Sequence, residues 1–590
     1  MKKLCSVLLA LAMVLSLMPT GACSLTASAM TEELYMYEVS DGLATIIGVS
    51  ENVSGALDIP LTLGGYPVTG VAEYAFYDCD TLTSIAIPES VVSIGDYAFY
   101  GCNSLALITL PDGLRNIGFY AFHNTAYYKD SANWENDVLY IDHHLVAVDP
   151  SISASYTIAA GTVTIADGAF RDCESLVTLS VPKSLTNIGN NAFYGCSSLT
   201  SFDIPESVAR IGTDAFAYCN ALASITVADD NPQYCSVDGV LFDEDKSVLI
   251  QYPVGNRQSS YSIPDGVTTV GWYAFAGCDR LTSVNIPNGV TSIEDGAFFG
   301  CDKFASITIP DSVKSIGNDA FNSCDALASI TIPDSVTSMG YYVFDSTAYF
   351  NDDANWENDV LYIDNHLLQV RPLIADEYVI KAGTKTVAGY AFADCNLLTS
   401  VIIPDGMVSV GVWAFLACTS LVSITIPDSV TSVGEYASYY CNSLVDVWYT
   451  GSKSDKEDVS IGDENDKLTL ALWHYNACPI GADHVYENAC DTVCDECCAT
   501  REVGDHVYDN ARDIDCNVCG EERIVVYTPG DVNDDGALDN KDLGLLQRHI
   551  NGWDVRVNEA ACDVNDDGAV DNKDLGLLLQ FLTDWDVELK

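Results

Sequence analysis

Residues 88–110 read P-E-S-V-V-S-I-G-D-Y-A-F-Y-G-C-N-S-L-A-L-I-T-L, and Pro111 opens the same frame again. The frame also starts at Pro182, Pro205, Pro264, Pro287, Pro310, Pro333, Pro404 and Pro427, with a period of 23 residues. Self-similarity at such a period marks a solenoid, a chain wound into stacked coils that bury an apolar side only against one another. In one coil Leu82, Ile85 and Ile87 belong to a short strand, and Pro88 ends it because proline has no amide to give a ladder. Val91, Ile94, Ala98, Cys102 and Leu105 then recur at spacings of three and four. That rhythm predicts a helical turn whose apolar side packs on the strand.

Cysteine recurs once per coil, at Cys79, Cys102, Cys173, Cys196, Cys219, Cys278, Cys301, Cys324, Cys395, Cys418 and Cys441. Its place among core positions predicts a ladder of free, buried thiols acting as small hydrophobes rather than disulfides, metal ligands or nucleophiles. Three interruptions break the period. Residues 125–170 (T-A-Y-Y-K-D-S-A-N-W-E-N-D-V-L-Y-I-D…) and 347–392 (T-A-Y-F-N-D-D-A-N-W-E-N-D-V-L-Y-I-D…) are copies of one another, and N-P-Q-Y-C-S-V-D-G-V-L-F-D from Asn231 is shorter kin. Each reads as a longer coil with an added hairpin. W-Y-T-G-S (Trp448 to Ser452) and L-T-L-A-L-W-H-Y-N read as a closing cap. The L-x-x-I-x-I period reads as a leucine-rich-repeat solenoid over residues 30–476, short parallel strands alternating with short helices or turns. With its A-F-x-x-C core and its inserts, it resembles the BspA-like leucine-rich-repeat family of bacterial surface proteins. The resemblance implies adhesion or protein binding and specifies no ligand, which could be protein or carbohydrate.

Serine dominates the third strand position (Ser84, Ser306, Ser329) and threonine the fifth (Thr109, Thr308, Thr331), on the concave surface where solenoids bind. Glycoside hydrolysis needs two carboxylates across a cleft, and acyl transfer needs a nucleophile beside a base. This surface offers a lone Asp203, with Asp446 at the far end, and no histidine. No catalytic residue is assigned. The residues before each A-F form an aromatic set: Tyr97, Phe119 and Tyr120, Trp272 and Tyr273, Tyr341 and Tyr342, Tyr390, Trp413 and Tyr436. Stacked coils set them in a column that either binds sugar rings or protein partners or covers neighbouring backbone.

Near the C-terminus D-V-N-D-D-G-A-L-D-N-K-D (Asp531 to Asp542) recurs as D-V-N-D-D-G-A-V-D-N-K-D (Asp563 to Asp574). Oxygen-bearing side chains at loop positions 1, 3, 5, 9 and 12, with glycine at 6, describe a calcium loop. The ligands expected are Asp531, Asn533, Asp535, the Ala537 carbonyl, Asp539 and Asp542, then Asp563, Asn565, Asp567, the Ala569 carbonyl, Asp571 and Asp574, for two ions. A short amphipathic helix follows each loop, with Leu543, Leu546 and Ile550, and on its twin Leu575, Leu578 and Leu582, on one face. The stretch I-V-V-Y-T-P-G before Asp531 disfavours an incoming helix, so the first unit is loop plus exit helix, not a full EF-hand. Residues 526–590 thus resemble a type I dockerin, the small all-α calcium module that docks subunits onto cohesin modules of a cellulosome scaffold. The resemblance assigns partner contacts to loop positions 10 and 11 and to the following helix: Asn540, Lys541, Gln547 and Arg548, and in the second copy Asn572, Lys573, Leu579 and Gln580. The family often has small hydroxyl residues at positions 10 and 11, where this chain has Asn-Lys.

Residues 477–525 repeat H-V-Y-E-N-A-C-D-T-V-C-D-E-C-C as H-V-Y-D-N-A-R-D-I-D-C-N-V-C-G, with His484 and His506 at equal places. Cys494, Cys497, Cys516 and Cys519 have the spacing of a tetrahedral zinc site, and disulfides are the alternative in an exported chain. Export is expected because M-K-K, an apolar stretch from Leu4 to Met18 and Ala27-Ser28-Ala29 form a signal peptide over residues 1–29. No later stretch is long and apolar enough for a bilayer. A net charge of −58 repels phosphate backbones and excludes nucleic-acid binding. The expectation is a secreted, extracellular, non-catalytic binding or adhesion protein, tethered to a cellulosome-type scaffold by calcium-dependent dockerin–cohesin binding and associated with polysaccharide breakdown. A hydrolytic subunit and a free-standing adhesin are the alternatives.

Overall fold

A backbone amide must find a carbonyl, and the coil solves this by alternating its donors between itself and its neighbour. Around Ala98-Phe99, the amides of Tyr97, Phe99 and Gly101 donate to Phe119, Ala121 and His123 of the next coil, at 2.9, 2.8 and 3.0 Å. Those of Ala98, Tyr100 and Cys102 donate back three residues, to Gly95, Tyr97 and Phe99. The computed structural model describes residues 34–475 except 51, 52 and 375, and 530–582 except 534–537, 553, 554, 556, 558, 566 and 567. It forms two compact units, Met1–Val447 with Glu457–Leu472, and Trp448–Lys456 with Trp473–Lys590.

Each regular coil of the solenoid carries two parallel ladders. Leu82–Ala86 pairs with Leu107–Thr109 in the next coil, setting Ile85 beside Ile108. Ser93–Ile94 pairs with Asn116–Ile117, setting Ile94 beside Ile117. Between the ladders runs a file of buried rings, with Phe76, Phe99 and Phe122 stacked at centroid distances of 4.7 and 5.3 Å. The strand after the proline and the turns after it correct one expectation. No helical turn fills this segment: Ile94 lies in a two-residue strand, and Gly95 to Cys102 are extended backbone and turns. The three-four spacing was produced by three-residue turns whose remaining amides cross to the next coil, which leaves no donors for a helix.

The thiols also do more than fill space. Cys102 Sγ donates to the Phe76 carbonyl of the preceding coil at 3.0 Å, and Cys196, Cys219, Cys301, Cys324, Cys418 and Cys441 repeat the bond at 3.0–3.1 Å. All are free and buried. Burial pushes the Cys219 thiol up to about 12, so this donor stays protonated, and the buried Cys173 thiol is raised to about the same value.

The inserts extend the second ladder with an antiparallel hairpin. Val138–Ile141 pairs with His144–Val148, whose first residues pair in parallel with Thr164–Ile165 of the next regular coil. His366–Val370 repeats this against Thr386–Val387. Each hairpin turn replaces a missing coil neighbour: Asp142 Oδ2 accepts the Leu110 amide and Asp364 Oδ2 the Ile332 amide, both at 2.8 Å.

Among the described residues no helix is long and apolar enough to cross a membrane. In the C-terminal module two helices, Asn540–Ile550 and Asn572–Leu582, share a core of Val532, Leu546, Cys562, Val564 and Leu578, all fully buried. Leu543, Ile550, Leu575 and Leu582 are half-buried against it.

Candidate functional site

The duplicated acidic loop folds as its sequence directs wherever it is described. Asp539 caps the first helix, accepting the Lys541 amide at 2.6 Å, while Asp542 reaches back to the Asp539 amide at 2.9 Å. Asp571 and Asp574 repeat this capping box at 2.6 and 2.8 Å. Loop positions 9 and 12 therefore start the helix as well as facing the loop interior. Asp542 is fully buried, and its other oxygen accepts the amides of Val532 and Asn533 at 2.9 and 3.3 Å. Asp574 matches it, accepting from Val564 N at 3.1 Å and Asn565 Nδ2 at 2.6 Å. Burial raises the Asp542 carboxyl above its ordinary value. Asp531 and Asp563 are buried as well, and Gly568 holds a φ of 84° that turns the second loop. Buried carboxylates gathered at the ends of an oxygen-rich loop are the donor type a hard dication takes. The residues fit calcium. Asp535, Ala537 and Asp567, like the linker cysteines Cys494, Cys497, Cys516 and Cys519 and the signal segment, lie outside the described residues. Among the described residues, which lack Asp535 and Asp567, no group of three or more His, Cys, Asp or Glu is gathered to hold a metal ion.

On the solenoid, Ser306, Thr308, Ser329 and Thr331 are exposed and in register, side by side on parallel strands. Asp203 is partnered by the Thr226 hydroxyl. The aromatic set separates into two runs. Tyr74 stacks on Tyr97 at 5.2 Å, and Tyr97 leans on Tyr120 at 5.8 Å. Later, Tyr342, Tyr390, Trp413 and Tyr436 stack in succession at 5.0, 5.8 and 4.1 Å. Trp272, at 54% exposure, belongs to neither run. A second file that the sequence reading missed runs beside the first, through Tyr77, Tyr100 and His123. These rings sit at high energetic cost: Tyr74, Tyr97, Tyr120, Tyr342, Tyr390, Trp413 and Tyr436 all hold φ between 52° and 61°, where Gly168 and Gly296 stand in other coils. A bulky residue in that region costs about 1 kcal/mol, which ring stacking of similar size offsets. Stacked along the solenoid, neighbouring rings cover one another's faces, so these runs offer edges and hydroxyls rather than platforms for sugar rings.

A family model for the BspA type leucine rich repeat region matches residues 69–147, 150–236, 255–371 and 375–457, more than half of the chain. The chain belongs to the BspA-type leucine-rich-repeat family. A second model, for the dockerin type I domain, matches residues 529–583. Both are non-catalytic families. Among solved structures, a leucine rich cell surface protein from Faecalibacterium prausnitzii is similar at 28% identity over 74% of this chain and 99% of that one, with a TM-score of 0.28. A leucine-rich-repeat protein from Eubacterium ventriosum is similar at 22% identity over 69% and 92%, with a TM-score of 0.33. The pneumococcal vaccine antigen PcpA is similar at 20% identity over 74% and 98%, with a TM-score of 0.28. No curated protein sequence matches this chain.

On the dockerin type I module, the residues expected to meet a partner stand on the surface. Asn540, Lys541, Gln547, Arg548, Asn572, Lys573 and Leu579 are exposed, and Gln580 is half-buried. The Lys541 and Lys573 ammonium groups lie 3.7 and 3.4 Å from Asp539 and Asp571. The two copies differ most where Leu579 and Phe581, both exposed, replace Gln547 and His549. Phe581 carried no sequence signal beyond that asymmetry.

Proposed function

We propose that this chain is a secreted, non-catalytic binding subunit, held on a scaffold by calcium-dependent docking of its dockerin module to a cohesin. The observation that carries the reading is the pair of buried carboxylates Asp542 and Asp574, each bonded to the amides of a duplicated oxygen-rich loop and each closing the capping box of the helix that follows. Calcium held by Asp531, Asn533, Asp535, Ala537 O, Asp539 and Asp542, with a second ion held by Asp563, Asn565, Asp567, Ala569 O, Asp571 and Asp574, neutralises those charges and locks the helices. The exposed Asn540, Lys541, Gln547 and Arg548, or their twins Asn572, Lys573, Leu579 and Gln580, then read the cohesin. The near-identity of the two copies supports docking in either orientation. The solenoid is the cargo, and its exposed hydroxyl lanes and aromatic runs support binding rather than turnover. Isothermal titration of the full chain against a cohesin panel tests the reading. Binding with calcium and none with chelator supports it; hydrolysis of plant polysaccharide by the purified chain overturns it.

A further inference from the structure

The two long inserts are built to one plan. Thr125 and Thr347 cap four-residue helices through the amides of Tyr128 and Phe350, at 3.0 and 3.1 Å. Asn133 and Asn355 each donate to a helix carbonyl at 2.9 Å. Trp134 and Trp356 donate their indole N–H to Tyr128 O and Phe350 O at 2.7 and 2.8 Å, and each meets that residue's ring edge-on. The amides of Asp149 and Arg371 then bond to the carbonyls of Asp137 and Asp359, both at 2.8 Å, which fixes these two residues as counterparts.

At that pair the plan diverges. The Arg371 guanidinium lies 4.3 Å over the Trp356 ring and pairs with Asp353 and Asp359 at 2.5 and 3.6 Å. The second insert is therefore filled from within. In the first insert Asp149 stands where the arginine would be, and no cation of the described residues lies over Trp134. Asp137 remains and is exposed, and Asp149 is exposed with its carboxylate fixed by the Ser151 amide and hydroxyl at 2.9 and 2.7 Å. Those bonds hold it below the usual carboxylate range. The site thus has the ring and one carboxylate of its twin, a second carboxylate in place of the cation, and no ion pair to either among the described residues. It also continues a surface: Trp134 meets Tyr128, Tyr128 meets His123 at 4.4 Å, and His123 stacks on Tyr100 and touches Tyr120. In the second insert Asp345 and Asn322 replace His123 and Tyr100, so the ring chain from the insert through those two positions is missing there.

We propose that Trp134, Asp137 and Asp149 form a receptor for an arginine side chain of a protein partner, which lies over the indole as Arg371 does over Trp356, while its flanking residues rest on the Tyr77–Tyr100–His123 and Tyr97–Tyr120 rings. Guanidinium is the occupant because the chain supplies it to the twin site, and because Arg171 lies 4.4 Å over Tyr194 elsewhere on the solenoid. A chain of net charge −58 draws a basic partner toward such a site. The proposal rests on the solenoid being a binding cargo, and it names the chemistry that cargo recognises.

The test uses the full chain in calcium and a blocked peptide bearing one arginine between glycines, with citrulline and lysine counterparts, followed by calorimetry. One site per chain is expected, at least tenfold weaker for citrulline and weaker for lysine. Trp134→Ala loses at least tenfold. The decisive variant joins Ser131→Asp with Asp149→Arg, which recreates a trio the chain already folds in its second insert, and it should abolish binding. Arg371→Asp should add a second site. Long-range attraction cannot mimic this, because the joined substitutions change the net charge by only one unit in fifty-eight. Equal binding of arginine and citrulline, unchanged binding by the joined variant, or binding of a neutral oligosaccharide at Trp134 in place of the peptide would each overturn the proposal. Cohesin affinity should stay the same in every variant, so failure here is distinct from failure of the docking reading.

Discussion

A solenoid coil and a docking loop are both short sequences copied along one chain, yet they reach order by opposite routes. In the coil most turn amides find an acceptor in the coil or in its neighbour, and the interior is aliphatic side chains, rings and thiols. The buried carboxylate Asp167 is met by the Asn190 amide and side chain of the next coil, at 2.8 Å each, so a coil supplies what its neighbour lacks. In the loop the interior is carboxylate, with Asp531, Asp542, Asp563 and Asp574 all buried. Repetition alone orders the coil, whereas on the proposed reading the loop is completed by calcium.

Chelation breaks that comparison most directly. Calcium bound at a thousandfold excess over its Kd contributes about 4 kcal/mol to the state that binds it. Chelator should therefore abolish the thermal transition of the docking module while leaving that of the solenoid unmoved. Differential scanning calorimetry of the full chain with and without calcium checks this, and a matching loss in the solenoid transition would refute the division.

Glycine sharpens it next, because one substitution should have opposite signs in the two halves. A Cβ on Gly317 would lie 2.4–2.7 Å from Asp295 and from the Glu294 backbone in the neighbouring coil. Gly317→Ala should cost roughly 1–3 kcal/mol, as overpacking does. Gly544 and Gly576 lie inside helices with nothing within 4 Å, so alanine there should stabilise the calcium-loaded module by about 0.5–1 kcal/mol. Urea unfolding of the variants reads both signs. The smallest effect concerns the thiols. With Cys173 and Cys219 pushed up to about 12, alkylation near pH 8 should leave the buried ladder thiols unmodified until the chain unfolds. The half-buried Cys79, which departs from the expected ladder, and Cys235 should react first. Rapid native-state labelling of the ladder, read by mass spectrometry, would contradict the thiol–carbonyl bonds.

The repeat frame from Pro88 and the loops at Asp531 and Asp563 were legible because periodicity and ligand spacing are one-dimensional properties. What misled was the spacing of Ile94, Ala98 and Cys102, since a train of three-residue turns and a helix leave the same trace in sequence. Only the intercoil bonds from Phe99 to Ala121 and from Gly101 to His123 tell them apart. The thiol bond to the Phe76 carbonyl was equally invisible, because it joins residues 26 apart across a coil boundary. The aromatic set was visible, but its division into two runs was not. Neither was the difference between Asp149 and Arg371, which means nothing until the two inserts are known to share one geometry.

On the proposed reading the duplicated loops plug into a cohesin once calcium is bound, and the solenoid is the cargo they hold. Titrating a cohesin panel into the full chain, first in millimolar calcium and then in excess chelator, tests it most directly. The account predicts saturable one-to-one binding of at least one cohesin in calcium, lost on chelation and lost in a chain carrying both Asp542→Ala and Asp574→Ala. Binding that survives chelation, or that survives removal of both aspartates, would contradict it.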